Sequence, residues 1–203
     1  MVINTFGNND LEKTLKARGM YRERGLDDYN RQLGLNLVEM ARQSVGRRGK
    51  FVWYDLCCGN FCARDELLVQ VPDIVDRVQA HGVDLDVRKQ GIEYGDAVSY
   101  KLPYQLDVVT CLQGLDYIQT YLRKGAEAVQ NWYNQMDEGS ILSFDVAISH
   151  VRLSGKDLPV YLKEVLGDDV VIFPTPEREK THTTTKIYCR DHQLELPITR
   201  GLH

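Results

Sequence analysis

Long apolar runs are missing from this chain. The longest, Val108–Leu112 and Val170–Phe173, span five and four residues, far short of the roughly 20 that a membrane-spanning helix needs. Proline is sparse: six in 203 residues, scattered with sixteen glycines as punctuation, and nowhere gathered into a linker or low-complexity tract. Cysteine is few and odd in number, five, with three crowded at Cys57, Cys58 and Cys62. That excludes a disulfide scaffold and leads us to expect reduced thiols in a cytoplasmic compartment. These three lack the two-plus-two spacing of a zinc site, and His182, Cys189 and His192 are spaced no better, so no metal is expected. Met1–Asp10 has neither the basic start nor the apolar segment of a signal peptide. No internal repeat is visible.

What remains is the composition of a globular domain, 43% hydrophobic and 27% charged. A chain of this length buries roughly 70% of its unfolded surface, so a core forms without staples; collagen, coiled coil and wholesale disorder are excluded. The net charge of −4 is unevenly spread: residues 1–50 hold ten Lys/Arg against six Asp/Glu, and the rest fifteen against twenty-three. The basic end can steer an acidic ligand, although an ordinary solvated basic helix face is the commoner cause of such an excess. A pI near 5.7 argues against non-specific nucleic-acid binding.

Along the chain, Tyr29, Leu33, Leu37 and Met40/Ala41 recur at helical spacing, and Gly46 with Arg47–Lys50 closes that helix. Residues 1–50 therefore read as a helical cap or lid, and 51–203 as the core of a single domain. Phe51–Leu56 is short, aromatic and β-branched, and runs into Cys58-Gly59-Asn60 as strand into tight turn. Ala63–Val71 is a helix stopped by Pro72. Arg77–Asp86, Ile92–Tyr94, Leu106–Leu112 and Ile141–Val146 are further strands, and Tyr121–Met136 a helix whose apolar face is Leu122, Ala126, Val129, Trp132/Tyr133 and Met136. Apolar strands alternating with helices imply a parallel sheet covered on both faces. Val170–Phe173 and Thr183–Cys189, with a polar tip between them, read as a terminal antiparallel hairpin.

Ligands of such sheets sit beyond the carboxyl ends of the strands. Those ends carry Asp55-Leu-Cys57-Cys58-Gly59-Asn60-Phe61, then Asp84-Leu85-Asp86, then Gly95-Asp96-Ala97, then Cys111-Leu112-Gln113. A glycine turn admits close backbone approach, and acids at successive strand ends suit a ligand rich in hydroxyl and amine donors.

In order and spacing these pieces resemble the class I S-adenosylmethionine-dependent methyltransferases, over Phe51–Val146 and the terminal hairpin. Asp55-Leu-Cys-Cys-Gly59 resembles the family's glycine-rich first motif. Gly82-Val83-Asp84 resembles the acid that holds the ribose hydroxyls, and Gly95-Asp96-Ala97 the motif whose Asp contacts the adenine amino group. The fourth strand, Leu106–Cys111, and the Glu138-Gly139-Ser140 turn fit as well. The resemblance implies a three-layer αβα Rossmann-like sheet of about seven strands in the order 3-2-1-4-5-7-6, mostly parallel with a C-terminal antiparallel hairpin. It implies S-adenosylmethionine as cofactor, lying against Asp55, Cys57, Gly59, Asn60, Phe61, Asp84, Leu85, Asp86, Gly95, Asp96, Ala97, Cys111, Leu112 and Gln113. Two features depart from the pattern. Phe61 stands where the turn usually runs bare, and only 12 residues separate Asp84 from Asp96, so either Asp84 or Asp86 can take the ribose role.

The function so implied is in-line methyl transfer to a small-molecule acceptor. His150, Tyr117 and Asp116 are the candidate catalytic residues, and Tyr21, Arg22, Tyr29, Gln113, Tyr117 and His150 the candidate substrate contacts, because their segments overhang the strand ends. Thr110-Cys111-Leu112-Gln113 lacks the proline-containing motif of base-directed amino-methyltransferases, so no nucleic-acid partner is expected, and no membrane. Two competitors stand. One is a catalytically inactive binding or partner-interaction protein of the same fold. The other is an NAD(P)-dependent Rossmann oxidoreductase, which would need further glycines after Gly59 to seat a pyrophosphate, and none follows.

Overall fold

The computed structural model describes residues 24–85, 92–191 and 193–198. Five strands run parallel: β1 (Phe51–Leu56), β2 (Val78–Asp84), β3 (Ile92–Tyr94), β4 (Val108–Cys111) and β5 (Ile141–Ala147). A small ribbon follows, β6 (Arg152–Leu153) with β7 (Lys156–Asp157), and the chain then forms the hairpin β8 (Val170–Pro174) and β9 (His182–Tyr188). The main sheet has seven strands in the order β3-β2-β1-β4-β5-β9-β8, with β9 antiparallel to both its neighbours. Leaving the small ribbon aside, this is the order 3-2-1-4-5-7-6 with its terminal hairpin, as expected.

Alternation along the strands divides the interior in two. Phe51 and Trp53 face a core with α1 (Leu26–Gln32), α2 (Leu37–Arg48) and α3 (Cys62–Gln70). Val52, Tyr54 and Leu56 face the other core, with α4 (Gly114–Leu122), α5 (Gly125–Tyr133) and α6 (Leu158–Leu166). The result is the three-layer αβα arrangement of a Rossmann-like methyltransferase sheet. Asp107 joins α2 to the sheet: it accepts from Ser44 Oγ, pairs with Arg48 and takes the Val52 N–H at 2.7 Å.

Two helix expectations need correction, and one helix was missed. The helix read through Tyr29 and Ala41 is two, because the chain turns at Gly34, whose φ of +61° is open to glycine. A Cβ there would meet the Phe173 ring at 2.6 Å. Asn36 then caps α2 by accepting the Glu39 N–H, and Gly49 rather than Gly46 ends it, in the left-handed region. The helix read over Tyr121–Met136 is also two. Arg123 takes φ +56° and breaks the rise, while Gln119 Oε1 accepts the Gly125 N–H at 3.0 Å. The expected face from Ala126 to Met136 is buried, but Leu122, on the far side of the break, is exposed. α6 was not anticipated, although Leu158, Leu162 and Leu166 recur every four residues and are buried.

Candidate functional site

The carboxyl end of β1 closes on a buried acid. Asp55 Oδ2 accepts the Tyr29 hydroxyl at 2.5 Å and Oδ1 the Thr110 hydroxyl at 2.6 Å, while Trp53 Nε1 donates to Thr110 Oγ1 at 2.8 Å. Burial pushes the Asp55 carboxyl up to about 6, against the opposing pull of Arg24 and of the two hydroxyl bonds. Burial, and then the Asp55 charge, likewise push the Tyr29 phenol well above its usual range.

Beyond Asp55 the chain makes a tight turn over β2. Cys57 takes φ +63°, Gly59 +58° and Phe61 +47°. The N–H groups of Cys57 and Cys58 both reach Val83 O, at 2.8 and 3.3 Å, and Gly59 N–H donates to Asp84 Oδ2 at 2.9 Å. Gly82 makes the fit possible: a Cβ there would lie 2.5 Å from Cys58 Sγ and 2.9 Å from the Phe61 ring. Asp84, at the end of β2, thus fastens the turn of β1 and stays partly exposed. Asp96 is exposed and accepts the Val98 N–H at 3.0 Å, shaping its own loop.

Sequence reasoning overlooked Arg24. Its Nη2 donates to Cys57 O at 2.9 Å, and at 3.6 Å it is the one group among the described residues within 4 Å of a Cβ built on Gly59. Burial disfavours its charge, yet Tyr29, Asp55, Cys111 and Asp145 together hold the guanidinium above its ordinary value. Its only sequence signal was proximity to Arg22 in a basic segment.

A second cluster lies at the carboxyl ends of β4 and β5. Gln113, in the left-handed region at the start of α4, donates its N–H to Asp145 Oδ1 at 2.5 Å, and Arg178 from the β8–β9 connection pairs with the same buried carboxylate. Burial raises Asp145, with Arg178 opposing. Asp116, one turn into α4, accepts the Ala147 N–H at 2.8 Å and faces both His150 and His182. The Tyr117 ring lies tilted at 39° against Tyr121, with centroids 4.5 Å apart. Burial first, then Tyr121, Cys57 and Asp84, raise its phenol.

The fold therefore brings together Asp55, Cys57, Gly59, Asp84, Gln113, Asp116, Tyr117 and His150 along one edge of the sheet. It turns others inward. Tyr29, read as a substrate contact, is buried under α1 against Asp55. The Phe61 ring is buried against Trp53, centroids 4.9 Å apart. The side chains of Ala97, Cys111 and Leu112 are buried too, whereas Leu85 is exposed beside Asp84. Asn60 and Gly95 are partly exposed in their turns. Tyr21, Arg22 and Asp86 lie outside the described residues. His182, weighed only as a metal ligand, and Arg178 were not read as site residues because their partners, Asp116 and Asp145, are 66 and 33 residues away. Among the described residues no three His, Cys, Asp or Glu side chains are placed to hold a metal ion, and no helix is long and apolar enough to cross a membrane.

No family model and no curated protein matches the chain. Solved structures do. A Listeria monocytogenes protein assigned to the class I S-adenosylmethionine-dependent methyltransferases matches over 97% of this chain and 73% of its own, with TM-score 0.53 and 15% identity. Phosphoethanolamine N-methyltransferase 2 of Haemonchus contortus, solved with phosphomonomethylethanolamine and S-adenosylhomocysteine, matches over 89% of this chain and 59% of its own, with TM-score 0.51 and 12% identity. Strand order, layer arrangement and these likenesses agree: the chain has the fold of the class I S-adenosylmethionine-dependent methyltransferases.

Proposed function

We propose that this protein transfers a methyl group from S-adenosylmethionine to a small-molecule acceptor. One observation carries the reading. Among the described residues, the space above Gly59 is bordered by a guanidinium, Arg24, and by the strand-end acid Asp84, which accepts the Gly59 N–H. An amino-acid carboxylate suits the first and a ribose diol the second, as charge-assisted hydrogen bonds contributing about 1.5–3 kcal/mol each. Asp96 and the main chain of Ala97 and Leu112 are left for the adenine, with exposed Leu85 as an apolar neighbour. The bound cofactor supplies a sulfonium-activated methyl group.

The chain's own part is alignment, which can supply about 7–11 kcal/mol in a reaction between two bound partners. Tyr117, on α4, is assigned to the acceptor side. Asp116 and His150 offer a carboxylate–imidazole pair, Oδ1 to Nδ1 3.4 Å, able to take a proton from an acceptor hydroxyl or amine. The acidic pI and the proline-free segment after β4 favour a small acceptor over a nucleic acid. Five free thiols suit a reducing, cytoplasmic setting.

Calorimetric titration with S-adenosylmethionine and S-adenosylhomocysteine tests the reading. Micromolar binding to the wild type, weakened at least tenfold by Asp84→Ala and by Arg24→Ala, is expected. Absence of binding to either ligand overturns it. Binding without turnover on any acceptor would leave a cofactor-binding protein that does no chemistry.

A further inference from the structure

Two thiols meet where β1 and β4 end. A Cβ built on Gly114, the first residue of α4, would lie 2.5 Å from Cys57 Cβ, 2.9 Å from Cys57 Sγ and 2.7 Å from Cys111 Sγ, so both sulfurs close on one point. Cys111 is the last residue of β4 and Cys57 the first beyond β1, and these strands pair in parallel with Asp55 opposite Thr110. Their spacing of about 4.8 Å falls within the roughly 4.4–6.8 Å between Cα atoms that a disulfide spans. Gly114 is explained by the pair. Its backbone is not left-handed, and alanine forms helix better, but a methyl group there would collide with both cysteines.

The two thiols differ in access. Cys57 is partly exposed, whereas Cys111 is fully buried. The main chain of Cys57 is held on both sides, its N–H by Val83 O at 2.8 Å and its carbonyl by Arg24 Nη2 at 2.9 Å, and that guanidinium gives the exposed thiol a cationic neighbour. Cys58 serves the other core: its Sγ lies 2.5 Å from a Cβ built on Gly82 and donates to Gly59 O at 3.6 Å. Neither Cys57 nor Cys111 has a thiol role in the function proposed above.

We propose that Cys57 and Cys111 form an oxidation site, at which a peroxide oxidises Cys57 and Cys111 closes a disulfide between the ends of β1 and β4. Cys57 Sγ first breaks the O–O bond of hydrogen peroxide, giving Cys57 sulfenic acid and one water. Cys111 Sγ then displaces the sulfenic hydroxyl, which leaves with the Cys111 thiol hydrogen as a second water. Two thiols give up two electrons, and the peroxide takes them. Contact between the sulfurs makes up for the weak nucleophilicity of a buried thiol, as alignment does between any two held partners. A dithiol reductant reverses the bond, in keeping with a chain whose five thiols are free. The disulfide draws Cys57 towards β4, while Val83 and Arg24 hold its main chain over β2, so the turn carrying Gly59 must shift. The consequence for ligand binding rests on the methyl-transfer reading, in which that turn borders the cofactor.

Treating the reduced full chain with hydrogen peroxide, blocking the remaining thiols and mapping the peptides without reduction tests this. A Cys57–Cys111 crosslink, reversed by dithiothreitol, is expected. Cys111→Ala should accumulate Cys57 sulfenic acid, trapped with dimedone, at least fivefold over the wild type. Cys58→Ala and Cys62→Ala should crosslink as the wild type does. Three results overturn the proposal: both thiols staying reduced, a crosslink through Cys58 or Cys62 in place of Cys57–Cys111, or dimedone labelling that Cys111→Ala leaves unchanged. The crosslinked protein should bind S-adenosylhomocysteine at least tenfold more weakly than the reduced protein, and equal affinity overturns the shift of the turn. If the reduced wild type fails to bind that ligand, the methyl-transfer reading falls, while the mapped crosslink still decides the oxidation site.

Discussion

The Tyr29 hydroxyl donates to Asp55 Oδ2 at 2.5 Å inside the core, so α1 is bolted to the carboxyl end of β1 by a single buried hydrogen bond. The same ring meets Trp53 edge-on, centroids 5.5 Å apart, and Trp53 meets Phe61 in turn. The first helix and the turn that follows β1 are therefore packed as one unit.

Removing that hydroxyl should be costly. Tyr29→Phe keeps the ring and its packing but leaves one oxygen of a buried carboxylate without its donor, a loss of about 1–3 kcal/mol. Urea unfolding of the two proteins measures it. A difference under about 0.5 kcal/mol would mean that water replaces the bond, and that α1 stands off the sheet more than its burial implies.

Asp55 should also leave a mark on the pH dependence of stability. Its folded pKa is raised from 3.8 to about 6, so between those values the folded state holds a proton that the unfolded chain has lost. The unfolding free energy then falls as pH rises through that window, by up to about 3 kcal/mol from this group, at 1.36 kcal/mol per unit. Buried Asp145, raised in the same direction, adds to it. Asp55→Asn should flatten the slope relative to the wild type between pH 3.8 and about 6. An unchanged slope, from denaturant midpoints across that range, would show that Asp55 does not titrate there.

Two glycines near the turn should respond differently to alanine. At Gly82 the new methyl would lie 2.5 Å from Cys58 Sγ, so Gly82→Ala must push the turn off β2. About 1–3 kcal/mol of stability should go, and S-adenosylhomocysteine affinity with it. At Gly59 the nearest described atom is 3.6 Å away but φ is +58°, so Gly59→Ala should lose only about 1–2 kcal/mol to backbone strain. Equal effects of the two on ligand affinity would break the link between Gly82 and the shape of the turn.

Most of the framework was legible in the residues. Continuous apolar strands such as Phe51–Leu56 are buried on both faces, and a strand of that kind announces a parallel sheet wherever it occurs. The helix breaks were less legible. Gly34 and Gly125 stood in view, but Arg123, left-handed between the exposed Leu122 and Lys124, carries no local preference that signals the break. At the site, Asp84 and Gly59 were readable as a strand-end acid and a bare turn. That they hydrogen-bond to each other was not.

The order of strands and helices, and the acids and glycines placed at strand ends, are local properties of the chain, because burial periodicity and turn chemistry act over a few residues. Which of those residues face inward is a global property. Tyr29 and Phe61 carry aromatic rings that suit a ligand or a core equally, and only the closure of α1 and α3 over Trp53 made them core. Arg24 over Gly59 and His182 against Asp116 likewise exist only once distant segments meet, since their contacts join residues that nothing in the linear order holds together.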